Sequence, residues 1–265
     1  MGRLRGTWVG RSRYYSIAVL DVENWSSRPA VSAASIQGAL RRIEDRGLAG
    51  AGIDANRVGR QPRGDGAILT LPGDVAKELI TARFVEALSE AVAEHDDVCD
   101  PEESIRIRLS LHAGDVIEGE GEWAGQPVVV ACRLVDSAVI KRVLAASTGS
   151  PLALIVSRDW YDAVVKEGHI SAEGYREVWV EEKTFADVAW VKVPGRSRPP
   201  GLLPEDDPGR HRDAGHGAGP PHGSRSGEAS EYTVNYGNIV RASTIKGDIV
   251  FGDQYGGTSR SGGAE

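Results

Sequence analysis

The stretch RQPRGDGAILTLP, residues 60–72, sets an aspartate between two glycines directly ahead of an apolar run. Asp65 stands where the chain enters a strand, and Gly64 and Gly66 let other atoms approach the backbone closely. A turn accounts for such a carboxylate. A metal site also accounts for it, provided that a partner exists elsewhere in the chain. Asp21 is that partner: it ends the apolar strand YYSIAVLDV (14–22). If the two strands are antiparallel neighbours, the end of one lies beside the start of the other. Two carboxylates meeting there repel unless a cation sits between them. A hard divalent ion, Mg2+ or Mn2+, suits two aspartates plus substrate phosphates.

The surrounding sequence is dense in periodic patterns. SAASIQGALRRIEDRG (32–47) puts Ile36, Leu40 and Ile43 on one helical face, with Gly47 as a stop. GDVAKELITARFVEALSEAVAEHD (73–96) carries a stripe of Val75, Leu79, Leu88 and Val92, with Asp74 as N-cap. SIRIRLSLHAGDV (104–116) alternates strictly. Ile105, Ile107, Leu109, Leu111 and Ala113 are expected to face the core, and Arg106, Arg108 and Ser110 solvent, as in a half-buried strand. His112 falls on the outward side, with a structural or solvent role. QPVVVACRLVDSAVIKRVLAA (126–146) reads as a helix, LALIVS (152–157) as a strand and RDWYDAVVKEG (158–168) as a helix. YREVWVEE (175–182) and VAWVKV (188–193) form a hairpin-like pair. Helices interleaved with a mixed sheet predict an α+β fold, an α/β sandwich. Trp25, Trp123, Trp160, Trp179 and Trp190 are expected in the core or an interface, and Cys132 as a small buried hydrophobe.

Composition narrows the class. The net charge of −7 gives no basic field for nucleic acid. Two cysteines, Cys99 and Cys132, are too few for a disulfide framework and fit a reducing, cytoplasmic compartment. No run approaches the roughly 18 apolar residues of a membrane span. Residues 1–13 form a basic extension without the apolar segment of a secretory signal. From Gly195 to Ser230 the sequence holds no Val, Ile, Met or aromatic residue. It is expected to be a disordered linker between a folded domain at 14–194 and a tail at 231–256, with 257–265 a disordered end. RGD is also a cell-adhesion tripeptide, a chance match in a cytosolic chain. No P-loop, zinc spacing or Ser-His-Asp elbow is present.

In chain order, SIAVLDVENWS (16–26), RGDGAILTL (63–71), IRIRLSLHAGDV (105–116) and WAGQPVVVACRLVD (123–136) resemble the catalytic domains of class III nucleotidyl cyclases. The resemblance covers about residues 14 to 194. It implies a ferredoxin-like βαββαβ core with added elements, and a homodimer whose active sites form between two domains. It implies an enzyme that converts a nucleoside triphosphate to a 3′,5′-cyclic nucleotide and pyrophosphate. Asp21 and Asp65 match the two metal-binding aspartates, and Gly64 and Gly66 would give clearance for phosphates. Arg133 matches the arginine that steadies the transition state. Lys183 matches a lysine of the triphosphate site, or else is an exposed strand-end lysine. Gln61 and Glu122 stand at the base-reading positions and fit neither purine code, so the base stays open, pyrimidines included. The family's catalytic asparagine is replaced by Val129, which removes a contact worth about 1–3 kcal/mol. The alternative is therefore a catalytically impaired domain that binds nucleotide or recruits a partner.

The tail holds an internal repeat: Gly237-Asn238-Ile239-Val240 returns as Gly247-Asp248-Ile249-Val250. Each copy reads as a β-branched pair after a turn dipeptide. It resembles amyloid-type signalling motifs and implies a partner protein with a similar C-terminal repeat. The other reading is a weakly structured hairpin docked on the domain.

Overall fold

A computed structural model describes residues 12–119, 122–212, 232–235 and 238–241. The apolar run at 16–22 becomes β1 (Ser12–Val22), the centre of a mixed sheet. Helix α1 (Ala30–Gly50) follows, then β2 (Gly59–Arg63) and β3 (Gly66–Pro72). A short α2 (Lys77–Leu79) runs through a π-helical stretch, Ile80–Phe84, into α3 (Val85–Asp96), which leads to β4 (Ile107–Glu118). The strand order β2-β3-β1-β4 is antiparallel throughout, with α1 and α3 at the crossovers. This is the ferredoxin-like βαββαβ arrangement that the sequence implied.

Further elements widen the sheet. β5 (Trp123–Ala124) pairs with the far end of β4 and precedes α4 (Gln126–Asp136) and α5 (Ala138–Ala146). β6 (Leu152–Ser157) lies parallel to β4, and α6 (Arg158–Tyr161) follows it. The hairpin β7 (Arg176–Glu182) and β8 (Phe185–Lys192) adds through β8 onto β6. One face packs Leu20, Leu69, Leu109 and Leu154 with Ile36 of α1 and Leu88 of α3. On the other face, Ile17, Val19 and Ile68 meet Val128, Ala131 and Val135 of α4, and Ile155 and Val191 meet Ile140 of α5. The result is a sheet with helices on both sides. Among the described residues no helix is long and apolar enough to cross a membrane.

Several local expectations are corrected. Helix α1 runs through Gly47 to Gly50; a Cβ at Gly47 would lie 3.1 Å from Leu88 and Phe84, so this glycine serves close packing. Asp74 does not cap a helix: it binds Arg57, Nη2 to Oδ2 2.6 Å, and α2 begins at Lys77. The helix expected over 126–146 breaks at Ser137, whose ψ of 147° is extended, and gives α4 and α5. Strand β4 is buried on both faces, because α4 covers the side expected to meet solvent. Ser110 Oγ there donates to the Ala131 carbonyl at 2.7 Å, and His112 pairs through Nδ1 with Ser157 Oγ at 2.7 Å. Burial holds the His112 pKa down to about 4, so this ring is a neutral structural group.

Residues 195–212, expected within the linker, pack onto the domain. Leu202 joins the apolar cluster under α5, Arg196 Nε donates to Ser150 Oγ at 3.0 Å, and Asp206 pairs with Arg142. Helix α7 (Gly209–Arg212) stacks His211 on Trp179, ring centroids 4.8 Å apart. A few anchors thus order a stretch whose average composition reads as spacer. The remainder, 213–230, lies outside the described residues, as do 1–11, Gly247–Val250 and 257–265. In a separate unit, β9 (Tyr232–Asn235) pairs antiparallel with β10 (Asn238–Arg241), which carries Ile239 and Val240 of the first repeat.

Candidate active site

The β1–β3 register builds the site. Asp21 lies opposite Gly66, and the Val22 N–H donates to the Asp65 carbonyl at 2.8 Å. Asp65 occupies the two-residue turn between β2 and β3, one position ahead of the strand it was expected to begin. Gly66 is dictated by β1, since a Cβ there would lie 1.9 Å from the Leu20 carbonyl oxygen. Only Gly64 faces open space. The two glycines expected to clear room for phosphates therefore differ: one admits the neighbouring strand and the other is unobstructed.

Asp21 is 6 % exposed and lies opposite Arg108 of β4. The guanidinium, itself 9 % exposed, binds the carboxylate, Nε to Oδ2 2.5 Å. Burial pushes the Asp21 pKa up to about 6; Arg108 opposes that rise, and Asp65 and Asp136 add repulsion. Burial, rather than a missing countercharge, therefore dominates this value. A cavity of about 430 Å³ opens beside the pair, lined by Glu23, Asn24, Trp25, Asp65, Arg108 and Lys141 among others. Glu23 is held there by Arg106, Nη1 to Oε2 2.9 Å. Two neighbouring aspartates fit a hard divalent cation in donor chemistry, at a place where Arg108 already pairs with Asp21.

Arg106, Arg108 and Lys141 were missed as site residues in the sequence reading. Alternation gives the side of β4 on which Arg108 projects, but not that α4 covers this side or that Asp21 stands in register with it. Lys141 reaches the cavity only because Ser137 turns α5 away from α4.

No protein-family model matches the chain, and no curated protein matches it. Among solved structures, the guanylyl cyclase Cya2 superposes with a TM-score of 0.50 and 14% identity, over 69% of this chain and 92% of that one. A bacterial light-regulated adenylyl cyclase gives 0.50 and 14%, over 71% of this chain and 54% of that one. An adenylate/guanylate cyclase/hydrolase from Silicibacter pomeroyi gives 0.49 and 20%, over 70% and 99%. The fold is that of a nucleotidyl cyclase catalytic domain.

Within this cyclase fold the remaining candidates fall into three places. Gln61 and Glu122 come together: Gln61 Oε1 accepts the Trp123 N–H at 3.3 Å, and the Glu122 carbonyl accepts from Gly119 at 2.8 Å. With its oxygen engaged, Gln61 retains amide N–H donors. Val129 and Arg133 stand one helical turn apart, opposite the sheet-facing Ala131 and Val135 of α4. They are 5 % and 3 % exposed, and Arg133 Nε has no hydrogen-bond partner among the described residues. Lys183 is exposed in the β7–β8 turn with φ 57°. Arg108 pairs with Ala153 near the start of β6, whereas Ser157 at its end pairs with Ala189 near the start of β8. The turn that carries Lys183 is thus at the opposite end of the sheet from Asp21. One chain does not bring Lys183 to the aspartates, and Arg133 is not in the cavity lining.

Proposed function

We propose that the chain is a nucleotidyl cyclase, closing a nucleoside triphosphate to its 3′,5′-cyclic monophosphate with release of pyrophosphate, at a site shared by two copies. The observation that carries this reading is the β1–β3 register. It sets Asp21 beside Asp65; Asp65 and Arg108 line the cavity, and Asp21 pairs with that Arg108. Asp21 and Asp65 would hold Mg2+ or Mn2+, which supplies Lewis-acid neutralisation of phosphate charge and a lowered pKa for the ribose 3′-hydroxyl. Arg108, once exchanged off Asp21, is free to turn its planar guanidinium toward phosphate oxygens in the cavity. The 3′-oxygen attacks the α-phosphorus in line, forming the cyclic ester and breaking the bond to the pyrophosphate oxygen. The second copy would contribute Arg133 to the developing charge and Lys183 to the triphosphate. Gln61 and Glu122 would read the base.

Val129 favours a second reading. A buried valine one turn from Arg133 gives no hydrogen bond to a ribose oxygen, and in this reading the domain would bind nucleotide with turnover lost. Incubating the purified chain with each of the four nucleoside triphosphates and Mn2+, with cyclic nucleotide and pyrophosphate measured by mass spectrometry, separates the two. Product lost in Asp65→Ala supports the cyclase; nucleotide binding without product supports the second reading. Neither binding nor product overturns both. The tail repeat, through strands like β10, would pair with a similar repeat on another protein and gather cyclase domains at high local concentration.

A further inference from the structure

We propose that His95, Asp96 and Cys99, at the end of α3, form a binding site for a borderline-soft divalent cation of the Zn2+ class. Their ligating atoms all lie within 4.8 Å of one another. The Cys99 N–H donates to the His95 carbonyl at 3.0 Å, so the helical turn continues past α3 and sets the two side chains on one side, four residues apart. His95 Nε2 lies 3.1 Å from the Glu103 carbonyl, which can only accept. A neutral ring making this bond carries its proton on Nε2 and leaves Nδ1 a lone pair. A backbone carbonyl orients metal-bound imidazoles in the same way.

The carboxylate is also held in place. Asp96 Oδ1 accepts the Ile105 N–H at 2.8 Å and Oδ2 accepts Ser104 Oγ at 3.0 Å. These bonds fix the carboxylate and leave each oxygen a second lone pair. Cys99 is a free thiol. Nitrogen, oxygen and sulfur donors together select Zn2+ over Mg2+ or Ca2+, and three protein ligands leave a fourth position for water. Asp97, Asp100, Glu102 and Glu103 add negative charge around the turn, and His95 lines a cavity of about 540 Å³ with Asp97 and Glu94 as well as Arg42 and Arg46. A bound ion would clamp the turn between α3 and β4. Arg28 ties that same turn to the rim of the candidate active site, donating to the Ser104 carbonyl at 2.8 Å and to the Glu23 carbonyl at 3.2 Å.

The test titrates the reduced, metal-free full chain with Co2+. The proposal expects a thiolate-to-cobalt charge-transfer absorption that saturates at one equivalent and is bleached by Zn2+. Cys99→Ser abolishes the band, Cys132→Ser leaves it, and His95→Ala weakens Co2+ affinity by about tenfold or more. A second measurement needs no substitution: Zn2+ slows alkylation of Cys99, followed by peptide mass, while Cys132 is unaffected. The thiolate signature separates this site from any metal held by His211, His216 or His222. Absence of the band, its survival in Cys99→Ser, or an unchanged alkylation rate at Cys99 overturns the proposal.

Discussion

Replacing Arg108 with methionine keeps the volume of the side-chain stem and removes the cation paired with Asp21. The carboxyl left behind is 6 % exposed. Breaking a buried ion pair from one side costs about 3–5 kcal/mol. The wild-type environment already disfavours the charged form: burial lifts the Asp21 pKa from 3.8 to about 6 against the pull of Arg108. A rise of that size corresponds to about 3 kcal/mol. Because the folded-state value is raised, this contribution to stability is fully present below the unfolded value and is lost as pH rises through about 6. Without Arg108 the pKa rises further. At pH 5 the orphaned group is protonated in the folded state, and the loss falls to the 1–3 kcal/mol typical of an unsatisfied polar group. At pH 7.5 the full loss of about 3–5 kcal/mol is expected. Urea denaturation followed by tryptophan fluorescence at both pH values reads the difference, and subtracting wild type at each pH cancels the other titrations. Adding Asp21→Asn should restore most of the stability lost at pH 7.5. A loss below about 1 kcal/mol at pH 7.5, or equal losses at the two pH values, would refute the reasoning.

Glu44 is buried beside Arg60, Nη1 to Oε2 3.3 Å, and burial raises its pKa to about 7 against the opposing pull of Arg60 and Arg41. Its contribution is present below its ordinary value and lost as pH rises through about 7, so Glu44→Gln should flatten the fall in urea midpoint between pH 5 and 8. Gly66→Ala would drive a Cβ into the Leu20 carbonyl and part β1 from β3; a loss of about 3 kcal/mol or more is expected by thermal denaturation, together with weaker nucleotide binding. Asp206→Ala breaks the ion pair to Arg142 and the bond from the Leu203 N–H (2.7 Å). It should release the 195–212 strap to limited proteolysis at a stability cost of about 1–3 kcal/mol. Val129→Asn tests the proposed cyclase reading by placing an amide one helical turn before Arg133. It should raise kcat by about tenfold or more with little change in KM, while a buried amide costs the isolated domain about 1–3 kcal/mol.

The ferredoxin-like core was legible because β1, β3 and β4 carry strand periodicity and α1 and α3 carry helical stripes, so alternation and order agree. That Asp21 and Asp65 are neighbours was legible from their positions at strand ends, since the antiparallel pairing of β1 and β3 follows from the chain order. Arg108 was not. Strand period separates two faces but does not say what covers each, and the helix that buries Arg108 and Ser110 begins only at Gln126. Gly47 misled because glycine serves both helix ends and close helix packing, which differ in long-range contacts alone. β2 was not read as a strand; as an edge strand it tolerates Pro62, because one side has no ladder to complete. In 195–212 the average composition outweighed single anchors: Leu202, which joins a buried cluster, and Asp206, itself buried, which pairs with the half-buried Arg142.

The central claim is a site divided between two copies, with the aspartates on one and Arg133 on the other. Asp65→Ala and Arg133→Ala, each prepared as the full chain, should each abolish cyclic nucleotide formation. Mixed in equal amounts and allowed to exchange, they form hybrid dimers in which one site is intact. Activity should then return to about a quarter of wild type under statistical exchange. No recovery on mixing when wild type is active, or full activity of either variant alone, would contradict the shared site.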